Sequence, residues 1–353
     1  MIKVHDVSSI VVRAPNWVGD AVMSVAALRE LRRLFPNSHI TVVSKPGTAD
    51  VLAGSDYIDD VLVYKRAGLK SFFDQVHAWK QREFDLALLF QNAFEAAAIS
   101  FMARVPLRVG YGTERRALLL SHAVPVPEWK NERHEIFYYL NLVAELKKLL
   151  TSSTVEPSAP DSGISVSDNQ KRQARRLLME RKAEPTKPLV LLCPGSVNSR
   201  AKRWPAERYA ALADQFADTG ATVALIGAPS ELDVSQTVAA MTRRPPLVLT
   251  GQTAVSEVIA LISIADILIT NDTGPAHIGA AVGTPTLVIF GPTNPLTTSP
   301  FGPAGAIIRQ PPECAPCMLR DCPIDHRCMT AIAPEEVFER AQRAMRQRLE
   351  VAV

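Results

Sequence analysis

Asp272-Thr-Gly-Pro-Ala-His277 sets an acid, a hydroxyl, a glycine, a proline and an imidazole in consecutive reach of one another. Thr273 offers its hydroxyl, and Gly274 lets a ligand come close to the backbone. Pro275 suits the first turn of a helix, where its missing N–H is not needed. The free N–H groups of such a helix start attract an anion, and a phosphate fits them. His277 lies one turn in, on the side of the same spot. In the simpler reading Asp272 or Thr273 caps a helix and His277 is a core histidine. Asp20 closes a comparable turn, Ala14-Pro-Asn-Trp-Val-Gly-Asp20. It reads either as a helix N-cap or as a general base at the carboxyl end of a strand.

Other residues suit a nucleotide diphosphate. Gly195 and Ser196 can turn backbone N–H groups toward it, and Lys202 can add a point charge, unless it is an ordinary solvated lysine. Glu231 follows a strand and could accept from ribose hydroxyls. The chain has no Walker loop, no Gly-x-Gly-x-x-Gly and no Asp-x-Asp pair for a divalent ion. A departing diphosphate would then rely on protein cations and a helix N-terminus. Two basic stretches, Lys65-Arg66-Ala-Gly-Leu-Lys70 and Arg108 to Arg116 with Arg115, are either solvated loops or grips for acidic sugars and phosphates. Cys314, Cys317, Cys322 and Cys328 crowd one short segment. Four thiols so spaced can close a tetrahedral zinc or iron site, with His326 as a spare ligand. Free thiols and a disulfide are the competing readings.

The elements that must position these residues alternate. Ile10–Arg13 reads as a strand and 21–35 as a helix, with apolar residues at Val22, Val25, Leu28, Leu31 and Phe35. Strands follow at 40–43, 61–64 and 86–90, and a long helix at 134–150. The second half repeats the pattern: strands at 189–193 and 222–226, helices at 169–182 and 207–219. An apolar stretch from Val258 to Ile269 leads into the Asp-Thr-Gly turn, and 286–290 forms the next strand. Alternation of this kind predicts parallel α/β sheets, whose ligands collect outside the carboxyl ends of the strands. The expected organisation is a first Rossmann-like domain over 1–150, a linker over 151–165 and a second such domain over 166–333. A terminal helix, 334–350, would pack back on the first domain.

With 353 residues, 47% hydrophobic and 21% charged, the composition is that of a soluble globular protein of two domains. A net charge of +3 leaves no nucleic-acid footprint, while mild basicity suits an acidic substrate or an anionic membrane. No long uninterrupted apolar run and no signal-peptide layout are present, so a cytoplasmic protein without a transmembrane helix is expected.

Pro15-Asn-Trp-Val-Gly-Asp20, Cys193-Pro-Gly-Ser196, Ala201-Lys-Arg-Trp-Pro205, Thr270-Asn-Asp-Thr-Gly274 with His277, and Gly291-Pro-Thr-Asn-Pro295 together resemble the ADP-heptose:lipopolysaccharide heptosyltransferases, most of all their heptosyltransferase II branch. The resemblance implies a GT-B fold, two Rossmann-like domains facing a central cleft. It implies an inverting transfer of L-glycero-D-manno-heptose from ADP-heptose to the heptosyl-Kdo-lipid A core of lipopolysaccharide, at the inner face of the inner membrane. Asp20 then matches the general base, and capping and base roles can coexist. Lys202, Thr273 and Gly274 match the diphosphate site, with Asp272 and His277 in the same motif and Glu231 at the ribose. Lys65, Arg66, Lys70, Arg115 and Arg116 fall in the regions that would hold the acidic acceptor. No cofactor is implied for catalysis, and the cysteines read as a structural metal knuckle. Heptosyltransferase I and a protein-directed heptosyltransferase are neighbouring possibilities. A 2-epimerase on the same fold would need a second acid near the sugar C2. A non-catalytic module would have no use for Asp20 and Lys202.

Overall fold

The computed structural model describes residues 4–65, 67–151 and 159–351. The chain forms two compact units, Met1–Ser162 and Gly163–Val353. Residues 152–158, the body of the expected linker, lie outside the described residues.

The first unit runs β1 (Ser9–Arg13), α1 (Val18–Leu34), β2 (His39–Ser44), α2 (Pro46–Leu52) and β3 (Asp60–Val63). It continues with α3 (Gly68–Gln81), β4 (Leu86–Leu89), α4 (Phe94–Met102), β5 (Leu107–Tyr111), β6 (His122–Val124) and α5 (Glu135–Thr151). Its strands form one six-stranded sheet in the order β3-β2-β1-β4-β5-β6, parallel throughout. Helices cover such a sheet on both faces, so its strands are apolar along their whole length rather than alternating. Val11, Val43, Ala87 and Leu89 accordingly meet Trp79, Phe84 and Ile99 in one core.

The second unit runs α6 (Asp168–Glu180), β7 (Leu189–Cys193), α7 (Ala206–Asp218), β8 (Thr222–Leu225), α8 (Leu232–Met241) and β9 (Leu247–Val248). Then come α9 (Val255–Ile264), β10 (Ile267–Asn271), α10 (Gly274–Ala281), β11 (Thr286–Ile289) and α11 (Pro295–Thr298). The unit ends with β12 (Gly305–Ile308), α12 (Arg327–Thr330) and α13 (Pro334–Val351). Its sheet has the order β12-β11-β10-β7-β8-β9. Counted within each unit, the two orders are the same, and both reverse direction once: between β1 and β4, and between β7 and β10. Loops leaving neighbouring strands at such a reversal diverge and open a crevice.

The structure departs from the sequence reading in three places. The apolar stretch 258–269 is divided between two elements instead of forming one: most of it is the end of α9, and β10 begins at Ile267. Both elements are buried, and a short buried helix and a buried strand present the same run of apolar residues. Asp266 marks the break, accepting the Leu189 N–H at 2.7 Å. Arg108 lies on β5 and Lys70 in the first turn of α3, so neither is a loop residue. Finally, α13 is grouped with the second unit, where its apolar face is buried. Val337 and Ala341 are fully buried with Phe216, Tyr209 and Ile269, and Phe338 packs edge-on against Phe216 with ring centroids 4.9 Å apart.

Candidate functional site

The crevice of the second unit gathers the residues expected to meet a diphosphate. β7 delivers Pro194-Gly195-Ser196, and β10 delivers Asn271-Asp272-Thr273. Asn271 is completely buried and ties the two loops together. Its Nδ2 donates to the carbonyls of Pro194 (2.9 Å) and Gly195 (3.0 Å). Its Oδ1 accepts from the Trp204 N–H and the Tyr209 hydroxyl, both at 3.1 Å. Four bonds on one amide satisfy that side chain and fix the spacing of the crevice walls.

Lys202 sits at the end of a short 3-10 turn, Arg200–Lys202. Its Nζ donates to Asp272 Oδ2 at 2.9 Å and to the Asp272 carbonyl at 3.2 Å. The same carboxylate oxygen accepts from Thr293 Oγ1 at 2.7 Å. Asp272 is 4% exposed and Lys202 26%, so the carboxylate is sequestered while the ammonium reaches the crevice. Asp272 therefore orients Lys202, and a negative ligand would take up the charge that Lys202 keeps exposed.

α10 starts beside them. Thr273 is its N-cap residue but makes no side-chain capping bond, and Pro275 stands in the first turn. The Thr273 hydroxyl lies 3.3 Å from the Asn271 carbonyl and from Thr270 Oγ1. Pro275 has no N–H and the Ala276 N–H donates to the Thr273 carbonyl at 3.0 Å, so at this helix start the Gly274 N–H, with the positive end of the helix dipole behind it, is the group that can turn to a ligand. His277 is buried one turn along α10.

Glu231 is buried below the Gly195 loop. Its Oε2 accepts the Ala228 N–H at 2.7 Å, and a Cβ on Gly195 would overlap its carboxyl group. Burial pushes its pKa up, against the Ala228 bond and the nearby Arg203. Arg203 itself donates to the Ser196 carbonyl at 3.1 and 3.3 Å. Below the crevice, burial pushes the Cys193 thiol up to about 12, so it stays protonated. Asn271, Thr293 and Arg203 were not among the residues singled out from the sequence. All three lie inside the motifs quoted above, but nothing in their spacing says which loop each would bind.

In the first unit, Asp20 falls in the first turn of α1, two residues past its start. It is therefore not the N-cap, which is Trp17, a residue without a side-chain capping bond. Its charge still favours the positive end of the helix. Tyr139, from α5, is buried, and burial first, then the charge of Asp20, push its pKa well up. At the end of β1, the buried Arg13 donates to Gln91 (2.8 Å) and Gln75 (3.2 Å) and lies 3.6 Å over the Tyr64 ring. Burial draws its pKa down to about 10, which leaves it charged at neutral pH.

The basic residues of the first unit separate. Lys65 and Arg115 are exposed. Lys70 is exposed and pairs with Asp74 at 2.8 Å. Arg66 lies outside the described residues. Arg116 is fully buried, which corrects its assignment to an acidic ligand. It donates to the carbonyls of Tyr111 (2.8 Å) and Gln91 and to Asn92 Oδ1 (2.8 Å). A guanidinium fork can satisfy three acceptors in a loop that no backbone donor reaches, and burial holds its pKa at about 10.

The cysteine segment also departs from expectation. All four cysteines are free, from the exposed Cys314 to the buried Cys328. Among the described residues no group of three or more His, Cys, Asp or Glu is arranged to hold a metal ion. The thiols are close enough to feel one another: burial first, then Cys322, Cys317 and Cys314, push Cys328 up to about 11. His326 Nε2 lies 2.6 Å from the Ala201 carbonyl. The segment supports the Lys202 turn. Ala201 N–H donates to the Arg320 carbonyl at 2.9 Å, and Ser199 Oγ donates to the same carbonyl at 3.1 Å.

Among the described residues no helix is long and apolar enough to cross a membrane. Comparison with known proteins gives the site its context. Lipooligosaccharide heptosyltransferase 2 of Haemophilus ducreyi is 27% identical over 315 residues, spanning 85% of this chain and 88% of that protein. Lipopolysaccharide heptosyltransferase 2 of Escherichia coli K12 is 26% identical over 308 residues, spanning 85% and 87%. The solved structure of E. coli ADP-heptose lps heptosyltransferase II superposes with a TM-score of 0.84 at 24% identity, over 96% of this chain and 99% of that one. That likeness shows the GT-B fold. The model of glycosyltransferase family 9 (heptosyltransferase) matches residues 74–327, well over half of the sequence. The chain is thus a glycosyltransferase and belongs to family 9.

Proposed function

We propose that the protein moves L-glycero-D-manno-heptose from ADP-heptose to a heptosyl-Kdo-lipid A acceptor, with inversion at the anomeric carbon. The observation that carries this reading is the Lys202–Asp272 pair, which holds the lysine ammonium beside the start of α10. The names of the relatives supply the sugar and the acceptor class.

In this mechanism the second unit holds the donor. Lys202 and the Gly274 N–H at the start of α10 meet the diphosphate, the Gly195-Ser196 turn lies alongside, and Glu231 accepts from the ribose. The first unit takes the acceptor. Asp20 removes the proton from the acceptor hydroxyl as that oxygen attacks the anomeric carbon from the face opposite ADP. The new C–O bond forms while the bond to the diphosphate breaks, and the charge on the leaving ADP is met by Lys202 and the helix start. Lys65 and Arg115, both exposed, suit the acidic acceptor. Leu69 and Phe73, exposed at 78% and 52% on the same helix as Lys70, suit a peripheral attachment to an anionic lipid surface.

The test is transfer from ADP-heptose to lipid acceptors carrying zero, one or two heptoses, with and without EDTA. Transfer to the one-heptose acceptor alone, unaffected by EDTA, is expected. Use of the heptose-free acceptor would reassign the chain to heptosyltransferase I chemistry, and no transfer to any of them would overturn the lipid acceptor. Asp20→Ala is expected to lose at least about 100-fold in kcat, the usual share of a general base.

A further inference from the structure

We propose that Gln91 is a further acceptor-binding residue: the crevice of the first unit receives an oxyanion of the acceptor, a carboxylate or a phosphate, on the Gln91 side-chain N–H groups, which Arg13 turns toward it. The inference rests on the reading of the first unit as the acceptor side.

The first sheet reverses direction between β1 and β4, and Gln91 leaves β4 at that point. The end of β4 is pinned to β1. The N–H groups of Phe90 and Gln91 both donate to the Arg13 carbonyl, at 3.1 and 3.3 Å. Arg13 Nε in turn donates to Gln91 Oε1 at 2.8 Å. A guanidinium only donates, so the oxygen of this amide has to face it. Gln91 Nε2 then points away from Arg13. It makes no hydrogen bond among the described residues, and it is not enclosed. Gln91 is half-buried, so Nε2 faces open space at the carboxyl end of β4, where the ligands of such sheets collect.

Arg13 is itself held on two sides. It lies 3.6 Å over the Tyr64 ring, and its NH1 donates to Gln75 Oε1 at 3.2 Å. Gln75 Nε2 is anchored on the Ser71 carbonyl at 3.1 Å. On the β1 side of the crevice the Tyr64 hydroxyl donates to Asn16 Oδ1 at 3.1 Å. That bond turns Asn16 Nδ2 outward in the same way.

The charges say what these donors are for. Arg13 and Arg116 are both fully buried. Their hydrogen bonds go to neutral oxygens, and neither forms an ion pair among the described residues. Glu95 acts on Arg13, and Glu114 on Arg116, through charge alone. Buried charges are normally paired. Arg116 holds the Gln91 carbonyl and Asn92 Oδ1, so the two cations flank one short loop. Two unpaired guanidinium groups behind a displayed amide favour a negative ligand over a neutral hydroxyl, and low-dielectric walls focus their field into the crevice. The arginines do not touch the ligand; Gln91 does.

The experiment measures kcat and KM on the full chain with ADP-heptose and three forms of the lipid acceptor: native, dephosphorylated, and with its sugar-acid carboxyl groups reduced. The variants are Gln91→Glu, Gln91→Leu, Arg13→Met and the double Arg13→Met/Gln91→Leu. Gln91→Glu keeps an oxygen for Arg13 and replaces the outward donors by a negative charge. Its KM for the native acceptor should rise about tenfold or more, the value of a bond to a charged group, while KM for ADP-heptose stays within about twofold. A general loss of structure would not split the two KM values in this way. Gln91→Leu and Arg13→Met should raise the acceptor KM alone, and the double variant should be no worse than Gln91→Leu, because both changes act through one amide. An unchanged acceptor KM in Arg13→Met overturns the positioning by Arg13. If Arg13→Met does not fold, Gln91→Glu decides. Wild type and Gln91→Glu should converge on the acceptor form that lacks the bound anion, the dephosphorylated one for a phosphate and the reduced one for a carboxylate. No penalty on the native acceptor, or the same penalty on all three forms, overturns the oxyanion contact and leaves the transfer reading standing. Failure of the wild type to use any lipid acceptor overturns that reading, and this inference with it.

Discussion

Arg115 and Arg116 are adjacent and chemically identical, yet one is in water and the other is fully buried. Charge alone cannot separate them; the acceptors around each can. Arg116→Met would leave Tyr111 O, Gln91 O and Asn92 Oδ1 short of a donor. At about 1–3 kcal/mol for a buried group left unsatisfied, it should destabilise the protein by about 3 kcal/mol or more in chemical denaturation. Arg115→Ala should stay within about 0.5 kcal/mol. Lys202 and Asp272 make the corresponding case for catalysis. Lys202→Met removes the charge on the leaving diphosphate and should cost about 10²–10³ in kcat. Asp272→Asn keeps the lysine but loosens it, and should show a smaller loss of the same kind in steady-state kinetics. The sequence made Lys202 and Asp272 visible through their motifs. It did not show that they bond to each other, because 70 residues separate them.

At the scale of elements, the alternation of apolar runs and glycine-proline turns made the parallel sheets legible, and boundaries such as 189–193 agree with the structure. The split of 258–269 was not legible, since burial on all sides erases the periodicity that tells a helix from a strand. Nor was the packing of α13 on the apolar face of α7 and β10. The placement of α10 depends on a contact as small as one missing methyl. A Cβ on Gly279 would overlap Thr286 Oγ1 and crowd Leu268. Gly279→Ala should therefore push α10 off the sheet, costing about 1–3 kcal/mol as overpacking does. It should also raise KM for the sugar nucleotide, because the helix start moves with it. A denaturation curve and a KM measured on the same preparation check both.

At the scale of the whole molecule, each unit carries a carboxylate that responds to acid. Burial would raise Asp59, but the Ile40 N–H (2.7 Å) and Arg32 outweigh it and hold its pKa below the usual carboxylate value. Burial is likewise outweighed at Asp214 by the N–H groups of Arg243 (2.9 Å) and Arg244 (3.3 Å) and by the Arg243 guanidinium. A folded pKa below the unfolded one, about 3.9, means the stabilisation is complete above that value. It is lost as pH falls through the lower folded value. Denaturation midpoints should therefore fall below about pH 4, and Asp59→Asn together with Asp214→Asn should flatten that decline while lowering stability at neutral pH.

The turn that carries Lys202 is bonded through Ser199 and Ala201 to Leu319, Arg320 and His326, more than a hundred residues downstream. Its shape is thus written twice in the chain, once locally and once in the cysteine segment. The two stretches form a single heritable module despite their distance in the sequence. A chimera that imports 314–328 from a relative without the matching 199–202 would keep every motif residue and still misplace the lysine. Importing both together should restore it.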